Sequence, residues 1–362
     1  MASTLHVNYD NKPCYDILIE NDYERFYSVL KDFNLSERKI CIVTDSNVAF
    51  KTEELVPNIE NLCKEVSVFT FPAGEASKNL DTVYELYDFL IKRNFDRNDL
   101  LLALGGGVVG DMTGFTASTY LRGIKFIQMP TSLLSQVDSS IGGKTGVDYK
   151  GYKNMVGAFY QPSLVYINLS TLKSLPKREY LSGMGEIIKH GFIKDRAYLD
   201  WLNDNMDKIK ALDLPTLEYM IKRSCEIKQA VVEYDPKETL GERALLNFGH
   251  TLGHAIEKCC NFTNLHGECV SIGCVCALKI SYAKGYISKE DMEYGILILK
   301  KANLPTDIKG ISADSVLNAT KHDKKMDSNK IKFIILKSLG DAAIDTEITI
   351  DDMNESLEGV LL

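Results

Sequence analysis

The chain has 362 residues, nine cysteines and a formal net charge of −8, with 45% hydrophobic and 25% charged residues. That length exceeds one typical core and predicts two domains, while the acidic balance excludes generic nucleic-acid binding, which needs a basic surface. No apolar run approaches the ~20 residues that span a bilayer, and an odd cysteine count without framework spacing, behind a polar start, reads as reduced thiols in a cytoplasmic enzyme.

In chain order, Lys39-Ile40-Cys41-Ile42-Val43-Thr44 is an apolar run ending at Asp45 and reads as the first strand of the sheet. Val66-Ser67-Val68-Phe69-Thr70-Phe71 is β-branched and aromatic, and Pro72-Ala73-Gly74-Glu75 breaks it. Leu80, Val83, Tyr84, Tyr87, Leu90 and Ile91 then recur at helical spacing. Leu100-Leu101-Leu102-Ala103-Leu104 runs into Gly105-Gly106-Gly107. Strand, helix, strand at this rhythm predicts an α/β domain over 1–175, Rossmann-like, with a parallel sheet and right-handed crossovers. Such sheets bind ligands outside the carboxyl ends of their strands, where Asp45, Gly74 and Gly105 fall. Residues 132–166, rich in Gly, Ser and Lys, predict loops between the domains. From 176 to 362, stretches of 3.6-residue period dominate (177–190, 198–212, 217–232, 244–260, 270–283), which predicts a mostly α-helical domain. A late hairpin is expected between 330–336 and 343–349.

Gly105-x-Gly107-x-x-Gly110 follows a strand and opens a helix, the context in which a glycine turn brings backbone N–H groups to a pyrophosphate. Against that reading, the turn follows a later strand, no acidic residue ends the next one, and Asp111 would repel a phosphate. The turn could instead only pack helix on strand. Gly143-Lys144-Thr145 ends like a phosphate loop, but Asp138 stands where that loop needs glycine. Arg122, Lys144, Lys153, Lys189, Lys228 and Arg243 lie in glycine-rich or strongly patterned settings that suit an anion, although each alone reads as a surface charge.

Three of the six histidines fall in Gly249-His250-Thr251-Leu252-Gly253-His254 and His266-Gly267-Glu268. His250 and His254, at i and i+4, share one face of a helix and can supply two corners of a zinc site. The alternative is an amphipathic helix with two solvated imidazoles. Glu186 and Lys189, at i and i+3, form an ordinary ion pair unless Glu186 meets the histidines as a third ligand. Cys259-Cys260 and the Cys274/Cys276 pair lack the spacing of a metal knuckle and read as helix core.

Taken together these blocks resemble the 3-dehydroquinate synthase family of sugar-phosphate cyclases over nearly the whole chain. The resemblance rests on Gly105–Asp111, Tyr120-Leu121-Arg122-Gly123-Ile124, the run from Met129 to Val147, Asn154-Met155-Val156-Gly157, Glu186-Ile187-Ile188-Lys189, Asn247–His254 and Leu265–Glu268. It implies conversion of 3-deoxy-D-arabino-heptulosonate 7-phosphate to 3-dehydroquinate and phosphate, with NAD and Zn2+ or Co2+ as cofactors. By matching positions it implies metal ligation by Glu186, His250 and His266. Dinucleotide contacts would come from Asp45, Asn47, Gly74, Glu75, Lys78, Gly107, Val108, Val109, Gly110, Asp111, Thr131, Ser132, Lys144, Lys153, Thr171 and Ser174. Substrate anchors would be Asp138, Lys144, Asn154, Lys189, Lys228, Arg243, Asn247, His254 and Lys324 (or its neighbour Lys325). Arg122 would reach a neighbouring subunit's site, which implies a homodimer. The Gln229–Glu242 loop reads as slightly longer than the family's.

The implied chemistry is a transient oxidation that acidifies a proton next to the leaving phosphate, then elimination, reduction and aldol closure. The phosphate itself would help remove that proton, held by Lys144, Asn154 and His254. Arg243 and Lys228 would pair with the carboxylate. Rival readings are a related cyclase of the 2-deoxy-scyllo-inosose or valiolone type, a metal-dependent polyol dehydrogenase, and a nucleotide-sensing module without turnover.

Overall fold

A computed structural model describes residues 3–320, 326–327 and 330–362. The chain divides into two compact units, Met1–Leu175 and Pro176–Leu362.

The first unit is built on a seven-stranded sheet. Its strands are β1 (Ser3–Tyr9), β2 (Lys12–Glu20), β3 (Lys39–Asp45), β4 (Glu65–Phe71), β5 (Leu100–Gly105), β6 (Lys125–Pro130) and, later in the chain, β9 (Leu164–Asn168). They lie in the order β1-β2-β9-β6-β5-β3-β4, and every pairing except β1 on β2 is parallel. Alternation along each strand sorts side chains between two cores. Ile40, Ile42, Leu100, Leu102 and Leu104 face one core with Phe26 and Leu30 of α1 (Glu24–Leu30) and Leu55 and Ile59 of α2 (Thr52–Ile59). Cys41, Val43, Leu101 and Ala103 face the other, against α3 (Leu80–Lys92) and α4 (Gly107–Thr119). Both faces are covered, which is why these strands read as continuous apolar runs. Asn79 caps α3 by accepting from the Thr82 N–H.

Two expectations are corrected here. The sheet begins before Lys39, with β1 and β2. The stretch 132–166 is not interdomain loop. It holds a π-helical turn, Ser135–Ser139, an antiparallel hairpin of β7 (Lys144–Tyr149) and β8 (Tyr152–Phe159), and the sheet strand β9. Gly146 and Gly157 face each other in the hairpin, and a Cβ on Gly157 would sit 2.3 Å from the Thr145 carbonyl oxygen. The glycines that suggested loop instead permit a close backbone pair.

The second unit carries α5 (Lys177–Lys194), α6 (Arg196–Lys210), α7 (Leu214–Tyr234), α8 (His250–Cys259), α9 (His266–Ala283), α10 (Lys289–Lys301), α11 (Ala313–Thr320) and α12 (Ile350–Leu357). Between α11 and α12 lie the two-residue strands β10 (Met326–Asp327) and β11 (Lys330–Ile331), then the hairpin of β12 (Phe333–Ser338) and β13 (Asp341–Asp345). The expected helix over 244–260 is two pieces. A 3-10 turn, Arg243–Asn247, ends at Phe248, and Gly249 at φ 76° starts α8 one residue before His250. α7 continues to Tyr234, so the loop expected from residue 229 begins only at Asp235, and Lys228 is buried on the helix. Cys274 and Cys276 are buried, whereas Cys259 and Cys260 are only half-buried. Among the described residues no helix is long and apolar enough to cross a membrane.

Candidate metal centre and dinucleotide-binding edge

In the second unit, helices cross with almost no side chain between them. A Cβ on Gly267 would stand 1.8 Å from the Ser182 carbonyl oxygen, one on Gly185 would stand 2.6 Å from the Gly267 carbonyl oxygen, and one on Gly273 would stand 1.9 Å from that of Gly249. Glycine is required at such approaches because any Cβ would force the backbones apart. Each of these contacts flanks a chemical group: Gly185 precedes Glu186, Gly249 precedes His250, and Gly267 follows His266. Glu268, also in the first turn of α9, accepts from the Leu265 N–H at 2.9 Å and takes both Nε and Nη2 of Arg178 at 2.7 Å. That fixes where α9 begins, and so where His266 projects.

The result is a buried donor set. Glu186 Oε1 lies 3.5 Å from His250 Nε2 and 3.7 Å from His266 Nε2, and among the described residues no group hydrogen-bonds it. Two donors each about 2.1 Å from a zinc ion at a tetrahedral angle stand about 3.4 Å apart, so the observed spacings fit one shared cation. The three imidazoles of His250, His254 and His266 also offer nitrogens within 4.8 Å of one another. The three ring centroids stand 5.0, 5.3 and 5.6 Å apart, so ring spacing singles out no pair, but His254 is exposed, whereas Glu186 Oε1 stands 3.5 and 3.7 Å from Nε2 of His250 and His266. The other carboxylate oxygen, Oε2, takes the buried Lys189 ammonium. Burial works to raise the Glu186 carboxyl, but Lys189 and His266 hold it well below the usual range. Burial likewise opposes a charged His266, yet Glu186 and Glu257 outweigh it and raise the imidazolium to about 9. A cation binding here would replace that proton.

The remaining second-unit candidates are mostly sheltered. Lys228 and Arg243 are buried, and Asn247 is half-buried at the end of the 3-10 turn. Asp235, which the sequence reading passed over, is fully buried and gathers its own loop. Its carboxylate accepts from the N–H groups of Thr239 (2.8 Å), Leu240 (3.1 Å) and Arg243 (3.2 Å). Arg243 Nη1 donates to the Pro236 carbonyl at 3.0 Å, so backbone and guanidinium are both anchored. Lys324 and Lys325 lie outside the described residues.

In the first unit, the parallel strands bring their carboxyl ends to one edge. Asp45 ends β3, Gly74 and Glu75 follow β4, Gly107 to Asp111 follow β5, Thr131 and Ser132 follow β6, and Thr171 and Ser174 follow β9. The strand order changes direction between β3 and β5, the switch point at which such sheets bind nucleotides. The glycine turn packs helix on strand and still leaves room for an anion. Gly105 and Gly110 are packing positions, where a Cβ would meet Val109 at 2.4 Å and Gln128 at 2.6 Å. Gly106 and Gly107 have more room, and the cap residue Gly106 has no side chain to occupy the first turn of α4, so its N–H groups can take an anion.

Asp111 does not repel from this turn uncompensated. Lys78 Nζ bridges Asp111 Oδ2 and Asn154 Oδ1, each at 2.6 Å. Burial acts to lower the Lys78 ammonium, but Asp111 holds it above its ordinary value. Asp45 Oδ1 accepts from the Asn47 N–H at 2.8 Å, and Lys153 lies 3.7 Å from Glu75. Asp138 is half-buried in the π-helical turn, and Lys144 is exposed at the start of β7. Arg122 is exposed within Leu121-Arg122-Gly123, three successive residues at φ 51°, 63° and 127°.

Two family profiles cover most of the chain: the one described as 3-dehydroquinate synthase N-terminal matches residues 68–182, and the one described as 3-dehydroquinate synthase C-terminal matches residues 183–326. The 3-dehydroquinate synthase of Acetivibrio thermocellus is 46% identical over 350 residues, 96% of each chain. That of Ruminiclostridium cellulolyticum is 45% identical over 349 residues, again 96% of each. Among solved structures, 2-deoxy-scyllo-inosose synthase complexed with carbaglucose-6-phosphate, NAD+ and Co2+ superposes with a TM-score of 0.90 at 24% identity, over 99% of this chain and 100% of that one. ValA, a 2-epi-5-epi-valiolone synthase from Streptomyces hygroscopicus with NAD+ and Zn2+ bound, gives 0.89 at 23%, over 98% and 99%. These two likenesses show the fold.

Proposed function

The chain belongs to the 3-dehydroquinate synthase family, and from that premise we propose how its two units divide the work of that enzyme. It is a lyase that turns 3-deoxy-D-arabino-heptulosonate 7-phosphate into 3-dehydroquinate and phosphate, a carbon–oxygen lyase acting on a phosphate. The observation that carries this reading is the 46% identity with a 3-dehydroquinate synthase across 96% of both chains.

When bound, NAD supplies a reversible hydride acceptor, and Zn2+ or Co2+ a Lewis acid for the substrate's hydroxyls. On the first unit, the carboxyl-end residues from Asp45 to Ser174, with Lys78, Lys144 and Lys153, hold the dinucleotide. Asp138, Lys144 and Asn154 contact substrate. On the second unit, Glu186, His250 and His266 hold the metal. Lys189 keeps Glu186 ionised and touches substrate. Arg243 grips the carboxylate with a planar fork that sets orientation as well as charge, and Lys228 adds a point charge. Asn247, His254 and Lys324 complete the anchors. Arg122, held at left-handed φ, serves a second copy in a cytoplasmic homodimer.

The test is release of inorganic phosphate from the heptulosonate phosphate with substoichiometric NAD+ and added Zn2+. The expected result is many phosphates per NAD+, no net NADH, and loss of release on chelation. NADH accumulating from a simple polyol, with no phosphate released, would replace this reading with the polyol dehydrogenase.

A further inference from the structure

Both candidate metal-binding imidazoles are held in the same way. Each turns Nε2 toward Glu186 and gives Nδ1 to an acceptor of the protein. His250 Nδ1 lies 3.1 Å from the Phe248 carbonyl oxygen, and His266 Nδ1 lies 3.4 Å from Glu257 Oε2. Neither acceptor can donate when the glutamate is ionised, so a ring holding a single proton, as a metal-ligating imidazole does, carries it on Nδ1 and leaves Nε2 a lone pair. The two acceptors differ in kind. A backbone carbonyl is neutral, whereas the Glu257 carboxylate brings a charge into a buried position.

We infer that Glu257 is a positioning residue for the metal centre, its carboxylate orienting the His266 ring and fixing the tautomer that presents Nε2 beside Glu186 Oε1. Its place follows from the helix. His250, His254 and Glu257 stand at i, i+4 and i+7 on α8 and share one face. Gly253, between them, lets α9 approach, since a Cβ there would lie 2.9 Å from the Cys269 carbonyl oxygen. The same face that offers His250 as a ligand therefore also reaches the far side of the His266 ring. A carboxylate behind a ligating imidazole raises its donor strength, and removing such a partner weakens metal binding about 10–100-fold.

This rests on the ligand set proposed above, and the experiment separates the two. Zn2+ affinity is measured by chelator competition on the full chain, for the wild type, Glu257→Gln, Glu257→Leu and Glu186→Gln. Glu257→Leu is expected to lose about 10–100-fold in affinity. Glu257→Gln recovers part of that loss, because its amide oxygen still accepts the Nδ1 proton while the charge is gone. A purely structural role for Glu257 would not produce that order with metal-free melting temperatures matched. Glu257→Leu binding as tightly as the wild type, while Glu186→Gln loses the ion, overturns this inference alone. Glu186→Gln keeping wild-type affinity overturns the ligand set and the inference with it. A second measurement needs no variant. In zinc-loaded wild type labelled with 15N at histidine, His266 is expected to show a slowly exchanging proton on Nδ1, and a proton on Nε2 instead would overturn the inference.

Discussion

Glu186 divides its two oxygens between the Lys189 side chain and a pair of imidazoles, and that division decides its chemistry. Lys189 on Oε2 keeps the carboxylate ionised against the cost of burial, while Oε1 stays unshared beside two Nε2 atoms. Arg243 shows the opposite economy, with its backbone fixed by Asp235 and one guanidinium nitrogen by Pro236. A lysine at this position can neither copy the fork nor reach both partners. Arg243→Lys is expected to lower kcat/KM about 10–100-fold, the worth of one hydrogen bond to a charged group, with zinc content unchanged. Near-normal kinetics would remove the carboxylate role. Spacing singled out His250, His254, Glu186 and Lys189 as candidates but left each with an ordinary structural alternative. Glu257 was equally available at i+7 from His250, but its meaning depends on where the next helix begins, and spacing along one helix carries no information about that.

At the scale of elements, the candidate metal centre depends on glycines more than on the helices that carry its proposed ligands. α5 and α9 touch backbone to backbone at Ser182, Gly185 and Gly267, and α8 and α9 do so at Gly249 and Gly273. Gly267→Ala would put a Cβ 1.8 Å from the Ser182 oxygen, so the helices must separate. The expected outcome is destabilisation of about 3 kcal/mol, the upper range for overpacking, with weakened Zn2+ binding, read by denaturant unfolding and chelator competition. Unchanged affinity and stability would show that the crossing yields without cost. The helices themselves were readable from their period. The break at Phe248-Gly249 was not, because residues 244–260 keep an apolar rhythm across it. The hairpin of β7 and β8 was missed for a different reason: glycine and lysine spoke for loop, although the strands pair residues three to fifteen apart around a tight turn at Lys150-Gly151.

For the whole molecule, each unit offers its own candidate site, a sheet edge suited to an anion in one and a helix crossing suited to a cation in the other. A ligand that binds only the folded state stabilises it by mass action. Zn2+ at about 100 times its Kd should add about 2.7 kcal/mol, or roughly 5–10 °C in Tm for a unit of this size. Calorimetry with and without chelator measures this, and an unmoved transition would mean that the crossing of α5, α8 and α9 binds no ion. The sequence by itself determined the strand–helix–strand alternation from Lys39 to the glycine turn after β5, the helical character of the second half, the family, and which side chains could carry the chemistry, because these rest on local periodicity and on contiguous motifs. Only the tertiary structure decided that Glu186 meets two imidazoles from different helices, that Lys78 neutralises Asp111, and that Glu257 stands behind His266. Those pairings join residues between nine and eighty apart in the chain. Burial and backbone approach bring them together, and neither is written in the spacing of any one segment.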